Sequence, residues 1–175
     1  MKYLKLIVLS FFTTLILLSC GTAHNYSNKG LNKTFYEGKT LYFTLDPESK
    51  KEITLSGLHG NILGPYMPPN VEETFKLALK ELTAETGISL QYLNRSDANS
   101  DTNPLIFDTN ISEISWHFGF SVATLKTVTN FKNLSTAKEL QTTGIRKSGG
   151  GDEMNNLKKS LKDATFNFLK VYEQQ

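Results

Sequence analysis

The sequence predicts an α+β domain in which a single, mostly antiparallel sheet carries two helices packed on one face. Two segments, one after Asn70 and one after Asp152, repeat apolar residues at the three- and four-residue steps of a helix. Other short stretches alternate apolar and polar residues, as strands do when one face is buried. One sheet that carries both helices on the same face would bury both apolar stripes.

The folded part is predicted to begin near Thr40 with a β-hairpin. Residues 46–49 have turn chemistry and separate two alternating stretches. The apolar positions of these stretches are Leu41, Phe43, Leu45, Ile53 and Leu55. Residues 56–70 contain three glycines and three prolines, which predicts a loop.

Both helices have recognisable ends. Asn70 can cap the first helix, with Glu73 three residues later as in a capping box, and Gly87 ends it. Asp152 can cap the second helix, directly after a run of three glycines. The predicted buried stripes are Val71, Phe75, Ala78, Leu79 and Leu82 in the first helix and Met154, Leu157, Leu161, Ala164, Phe168 and Tyr172 in the second.

The region between the helices is predicted to be rich in strands. Residues 88–92 form one strand, which the polar run 94–103 ends. Residues 105–131 form a β-rich stretch, in which Leu125 breaks the parity of the preceding residues and leaves the register beyond them open. A turn at 133–135 leads into another strand that ends near Arg146. Within the stretch of residues 105–131, residues of one parity are expected to share one face of an extended strand: Ile114, Trp116, Phe118, Phe120 and Val122.

The N-terminus is typical of a secretory signal. Lys2 and Lys5 precede a mostly apolar, uncharged run over residues 6–19. Leu17-Leu18-Ser19-Cys20 resembles the lipobox of bacterial lipoproteins, although Leu18 stands where that family usually has a small residue. The resemblance implies cleavage before Cys20, a thioether lipid on its sulfur and acylation, for example with palmitate, of the new N-terminus.

Two other interpretations of the N-terminus fit less well. A transmembrane helix needs about 20 consecutive apolar residues, and the run of residues 6–19 is shorter and is followed at once by polar residues. A soluble secreted protein would keep Cys20 as an unpaired thiol in an oxidising compartment. We therefore expect a signal peptide over residues 1–19, a lipidated cysteine and flexible tether over 20–39, and one periplasmic domain over 40–175.

The charge of the processed chain excludes an obvious nucleic-acid surface. The full sequence has 19 basic and 17 acidic residues, and removal of Lys2 and Lys5 leaves 17 of each. No acidic residue follows Cys20 closely. By analogy with lipoprotein sorting, this predicts an outer-membrane protein that is lipid-anchored and faces the periplasm.

The order of elements resembles a known group of envelope lipoproteins. Lipobox, tether, strand, a helix at 71–82, a β-meander and a closing helix at 157–164 are similar to the fold of the TolB N-terminal domain. Lipoproteins of curli secretion and lipopolysaccharide assembly share this fold. The resemblance implies a non-catalytic binding or assembly factor with a protein partner in the envelope. The alternative is a lipid-anchored module that binds a small ligand or a toxin, as immunity proteins do.

No pattern in the sequence predicts catalysis, a cofactor or a metal. His24, His59 and His117 are widely spaced and lack the spacing of zinc ligands, and no nucleophile motif occurs. We therefore expect no enzyme, although an activity from scattered carboxylates stays open. For His117 we expect a strand position on the face opposite Trp116.

Asp97, Asn99 and Asp101 have the alternating oxygen ligands that begin a calcium loop. Thr102 stands where that loop needs glycine, and Asp108 stands where it needs glutamate. A solvated polar loop is the prediction, and calcium binding is a hypothesis.

The loop of residues 56–70 is unusually apolar. Leu63, Tyr66 and Met67 form a candidate contact surface for a partner, since methionine and aromatic side chains suit adaptable interfaces. The alternative is that these side chains cover the end of the sheet.

Overall fold

A sheet of six strands forms the centre of the domain. The computed structural model describes residues 24–57, 69–98 and 105–175. The strands are β1 (Thr40–Leu45), β2 (Thr54–Gly57), β3 (Ser89–Tyr92), β4 (Ile106–Phe118), β5 (Ala123–Asn133) and β6 (Glu139–Ser148). The helices are α1 (Lys33–Tyr36), α2 (Val71–Thr86) and α3 (Glu153–Tyr172), with a single 3₁₀ turn at Arg95–Asp97. None of the helices in these ranges is long and apolar enough to cross a bilayer.

The predicted α+β class is confirmed, but the sheet is mixed rather than mostly antiparallel. Its strand order is β3-β1-β4-β5-β6, and β2 pairs with β4. β3, β1 and β4 run parallel, whereas β4, β5 and β6 form an antiparallel meander. The parallel half results from the crossover through α2, which returns the chain so that β3 runs beside β1 in the same direction.

The hairpin predicted at residues 41–55 is wrong. β1 pairs with the first half of β4, and β2 pairs with its second half in the same parallel sense. The intervening segment continues along β4 instead of reversing, because Asp46 N donates to Thr109 O and Lys50 N donates to Ile111 O, both at 2.8 Å. The buried Ser49 hydroxyl accepts from Ile111 N at 3.1 Å and holds the segment in place.

The two predicted helices are confirmed with their caps. Asn70 Oδ1 accepts from Glu73 N, and Asp152 Oδ1 accepts from Asn155 N, both at 3.0 Å. Gly87 ends α2 with a φ of 77°. All five predicted stripe residues of α2 are buried. In α3 the prediction is wrong for Met154, which is 37% exposed because the buried part of the helix starts later, at Asn156 and Leu157.

The face predicted for the long strand is correct only as far as Phe118. The chain reverses there, with Gly119 N donating to Val122 O, and leaves Phe120 96% exposed and Val122 37% exposed. β5 then begins at Ala123, so that Leu125 returns to the core. Periodicity alone could not place this reversal, because residues 118, 120 and 122 keep the parity of a continuous strand.

The segment predicted as a flexible tether differs from that expectation from His24 onward. Residues 24–39, which we call the N-terminal arm, lie against the helices. Tyr26 and Tyr36 are buried, and the Tyr36 hydroxyl donates to Leu169 O of α3 at 2.6 Å. Phe35 also packs edge-on against Tyr172, so three aromatic residues of a polar stretch contact the helices.

Helix α3 crosses the sheet closely at Gly144. A Cβ atom at this position would overlap the carbonyl oxygen of Ser160 and lie 2.7 Å from Ala164 N. The Ser160 hydroxyl donates to Gly144 O at 3.0 Å, which ties the helix to β6. Glycine is therefore required here by the close approach of two backbones.

We predict that Gly144→Ala lowers the free energy of unfolding by about 2 kcal/mol or more, because the added methyl group forces α3 away from β6. Gly149→Ala is the matched control, since nothing lies within 4 Å of a Cβ atom at that position. Urea unfolding of both variants measures the difference. Equal stability of the two variants would contradict the close crossing.

Candidate functional site

Several residues for which the sequence predicts or suggests a functional role lie outside the described ranges. These are the lipid attachment site Cys20, the lipobox residues Leu17, Leu18 and Ser19, the loop residues Leu63, Tyr66 and Met67, and also His59, Asn99 and Asp101. The predictions made for them stay predictions.

The described residues of the calcium hypothesis have other partners. Asp108 accepts from both terminal nitrogens of Arg95, at 3.1 and 3.0 Å, and from the Thr44 hydroxyl at 2.8 Å. Asp97 accepts from Asn94 Nδ2 at 3.2 Å. Asp108 thus joins β4 to β1 and to the 3₁₀ turn.

One face of the sheet is not covered by the helices. It carries a cross-strand row of amide side chains, in which Asn110 of β4 is opposite Asn130 of β5, and Asn130 is opposite Gln141 of β6. Gln141 Nε2 donates to Asn130 Oδ1 at 2.8 Å. Asn110 and Asn130 are partly exposed and Gln141 is exposed. We call this surface the open face.

Balanced charges flank the amide row on the open face. On one side, Lys126 lies 3.1 Å from Glu113, and the Ser115 hydroxyl donates to the same carboxylate at 2.7 Å. These hydrogen bonds, from Ser115 first and then Lys126, lower the pKa of Glu113. On the other side, Lys132 of β5 lies directly opposite Asp108 on β4 and Glu139 on β6.

His117 lies at the end of the open face, opposite in direction to the buried Trp116, as the sequence predicts. Its Nδ1 is 3.2 Å from the Ser56 hydroxyl of β2. The open face as described is therefore a hydrogen-bonding surface. Its amide groups can donate and accept at once, which suits peptide groups or hydroxyls of a partner.

The outer edge of β6 is protected by helix α3. Ile145 N donates to Asp163 Oδ2 at 2.8 Å, and Thr143 O accepts from Asn167 Nδ2 at 2.8 Å. Two side chains one helical turn apart thus occupy outward-facing backbone groups that would otherwise pair with another strand. Extension of the sheet by another strand is therefore blocked at the middle of this edge.

The helix side of the domain contains a cluster of paired charges. Lys162 is 2% exposed, and its Nζ lies 2.6 Å from Glu85 Oε1 and 3.2 Å from Glu81 Oε2. Lys158 also pairs with Glu81. Burial raises the pKa of Glu81, but the hydrogen bonds from Lys158 and Lys162 outweigh it and lower the pKa overall.

The N-terminal arm joins this cluster through Tyr26. Its backbone N donates to Glu85 Oε2 at 3.0 Å, and its hydroxyl donates to Asp163 Oδ1 at 2.6 Å. Its ring packs on Phe166, with 4.3 Å between centroids. Burial, together with the bond to Asp163, raises the pKa of the Tyr26 hydroxyl far above its usual range.

His24 extends the same chain of hydrogen bonds, with its Nδ1 3.2 Å from the Tyr26 hydroxyl. Burial lowers the pKa of His24 to about 4. The positive charges of Arg146, Lys162 and Lys159 act in the same direction, while Asp163 opposes them.

A small aromatic cavity lies where the β5–β6 turn meets the C-terminal end of α3. Its volume is about 210 Å³. Its lining includes the aromatic residues Phe107, Phe131, Phe168 and Tyr172 and the polar residues Asn133 and Lys138. Ligand pockets usually measure about 300–1,000 Å³, so this one suits only a small molecule.

No family model matches the sequence, and no curated protein matches it. Solved structures with a partly similar fold include a PelC dodecamer from Paraburkholderia phytofirmans, with a TM-score of 0.39, 5% identity and coverage of 71% of this chain and 84% of that chain. A PelC variant from the same organism gives a TM-score of 0.38, 8% identity and coverage of 71% and 85%. An uncharacterised protein gives a TM-score of 0.33, 8% identity and coverage of 77% and 90%.

Sequence reasoning did not find the amide row or the role of Tyr26. The only signal for the amides was their parity, since Asn110, Asn130 and Gln141 fall on strand positions that face away from the core. Tyr26 gave no signal beyond being an isolated aromatic residue in a polar segment.

We predict that the domain loses stability as the pH falls from about 6.5 to 4, in part through His24. The folded state keeps His24 neutral down to a pKa of about 4, whereas the unfolded state binds the proton near 6.5. Urea unfolding at pH 7 and pH 5 measures the loss, which should be smaller in His24→Gln. His117→Gln is the control and should keep the full loss; an unchanged loss in His24→Gln would refute the assignment.

Proposed function

We propose that this protein is an outer-membrane lipoprotein, anchored through acylated Cys20 and facing the periplasm, that acts as a non-catalytic binding or assembly factor of the bacterial envelope. The observation that carries the binding role is the open face of the sheet. Among the described residues, α2, α3 and the N-terminal arm pack on the other side of the sheet. The 3₁₀ turn reaches Asp108 at one end of the open face. None of these described elements covers the amide row, which a partner can therefore reach.

The chemistry of the open face supports a protein partner. An amide side chain has two donor hydrogens and two acceptor lone pairs, and the bond from Gln141 to Asn130 uses one of each. The flanking charges are paired in opposite sign, and the processed chain carries equal numbers of basic and acidic residues. Such a surface suits peptide groups better than a strongly charged polymer.

The likeness to the TolB N-terminal domain belongs to this proposal. It is supported by a single α+β domain with α2 and α3 on one face of the sheet. Under this proposal the apolar residues Leu63, Tyr66 and Met67 provide a second contact with the partner.

The aromatic cavity favours a second candidate function, a lipid-anchored module that binds a small ligand. Phe107, Phe131 and Phe168 offer an apolar lining, and Lys138 offers a cation. A small aromatic or apolar acid would satisfy both. Mass spectrometry of the purified protein under native conditions would detect such a molecule.

We predict that a photo-crosslinking amino acid at Asn130 captures one defined envelope protein in growing cells, because this position lies in the middle of the open face. Lys80, an exposed residue on α2, is the control position and should give no such adduct. Gel mobility and peptide mass spectrometry identify the product. A protein adduct from position 80 with none from position 130 would overturn the assignment of the open face.

We also predict that Cys20→Ser abolishes palmitate labelling and releases the protein from the membrane fraction, because the thioether lipid and the cleavage both need the cysteine. Metabolic labelling and cell fractionation measure the two effects. Labelling that persists in the variant would show that the lipid is attached elsewhere.

A further inference from the structure

The docked arm brings the folded domain close to the proposed lipid. Within the described residues, Tyr26 is 4% exposed and bonds the arm to Glu85 and Asp163, and His24 lies 3.2 Å from the Tyr26 hydroxyl. Four peptide links separate Cys20 from His24. Even fully extended, they span at most about 14 Å. A flexible tether that reached Lys39 would have allowed several times this contour length.

The surface around His24 carries an excess of positive charge. The basic side chains Arg146, Lys159 and Lys162 act electrostatically on His24, and Asp163 opposes them. Lys162 is buried and neutralised by Glu85 and Glu81, so Arg146 and Lys159 provide the positive charge at the surface. Burial lowers the pKa of Lys159, and the nearby charges of Arg146, Lys158 and Lys162 lower it further, while Glu81 raises it. Lys159 therefore lies in a positive local potential even though Lys158 and Lys162 are paired with carboxylates.

We propose that the region around His24, Lys159 and Arg146 rests on the anionic headgroups of the bilayer that holds Cys20. This inference depends on the lipid attachment in the proposed function. The short connection keeps His24 within about 14 Å of Cys20, which is between one and two Debye lengths. Arg146 and Lys159 act electrostatically on His24 and carry the charge, so their attraction to headgroup phosphate is still effective. The membrane-facing surface is thus the corner formed by α3 and the start of the arm, beside β6.

This orientation leaves the far side of the sheet accessible. β3 is at the opposite edge of the sheet from β6. Four strand spacings separate the two edges, which is roughly 19 Å. Gln91 of β3 is exposed and shares the parity of Tyr42 on the open face. A partner could therefore approach the open face from the periplasm.

The test compares two fluorophore positions in the full, lipidated chain. The lipid consumes the thiol of Cys20, so Lys159→Cys and Gln91→Cys each present a single thiol for labelling. The proteins are reconstituted into vesicles of phosphatidylglycerol and phosphatidylcholine with a nitroxide on a fraction of the headgroups. We expect quenching at position 159 to be at least about threefold stronger than at position 91, since quenching by a nitroxide needs close approach. Equal quenching, or stronger quenching at position 91, would overturn the proposal.

Release of the arm should remove the difference. Tyr26→Ala, which removes the contact with Phe166 and the bond to Asp163, should bring the quenching ratio towards one, whereas Asn28→Ala, at an exposed arm position, should leave it unchanged. Insertion of twelve glycine and serine residues between Gly21 and Thr22 lengthens the connection without touching the fold and should lower the ratio in the same way. A ratio that stays high in both Tyr26→Ala and the insertion variant would contradict the role of the arm.

Flotation with the vesicles distinguishes failure of the lipid anchor from failure of the proposed orientation. If the unmodified chain floats and Cys20→Ser does not, the anchor is supported, and a ratio of one then refutes the orientation alone. If the unmodified chain fails to float, the lipid attachment in the proposed function is refuted.

Discussion

Helix α3 is packed on two sides, and this double burial holds the layers of the domain together. Towards the sheet, Phe168 contacts Phe43, Phe107 and Phe131, with ring centroids 4.4–5.9 Å apart. Towards the arm, the Phe166 ring packs against the Tyr26 ring, and the Leu169 carbonyl accepts a hydrogen bond from the Tyr36 hydroxyl. A helix that is packed on two sides must also bury some of its polar residues. Lys162 can be buried only because the carboxylates of Glu85 and Glu81 neutralise its charge.

This layering gives the domain two different sides. The helix side carries the N-terminal arm and the charge cluster, and under our proposal it is near the lipid. The open face carries uncharged amides and paired charges, and under our proposal it receives a partner. Glu85 couples the helix side internally, since its carboxylate accepts from both Lys162 of α3 and the backbone N of Tyr26 in the arm. Loss of that carboxylate would weaken the helix pair and the arm together.

The sequence predicted what depends on local chemistry. The caps Asn70 and Asp152 and the stripe of α2 follow from residues within one or two turns of each other, and the structure confirms them. The pairing of β1 and β2 with β4 depends on contacts about 60 residues apart, such as Ser49 with Ile111, and the turn chemistry of residues 46–49 suggested a hairpin instead. Phe120 was misplaced because a tight reversal preserved the parity of the strand.

The candidate site was less predictable than the fold. The amide row exists only after β4, β5 and β6 are in register, because its members are 11 to 31 residues apart in the chain. The arm was wrongly predicted to be a flexible tether because its average composition is polar. Its docking depends instead on a few side chains, such as Tyr26 and Tyr36. A polar segment with isolated aromatic residues can therefore be structured when a helix offers a second apolar side.

Amide hydrogen exchange of the full-length protein tests the docked arm most directly. The N–H group of Tyr26 donates to Glu85, so we predict that it exchanges about a hundredfold or more slowly than in an unstructured peptide. Exchange of Tyr26 at the rate of an unstructured peptide, while amides of β4 and β5 stay protected, would show that the arm is not docked and that it does not hold the domain beside the proposed anchor.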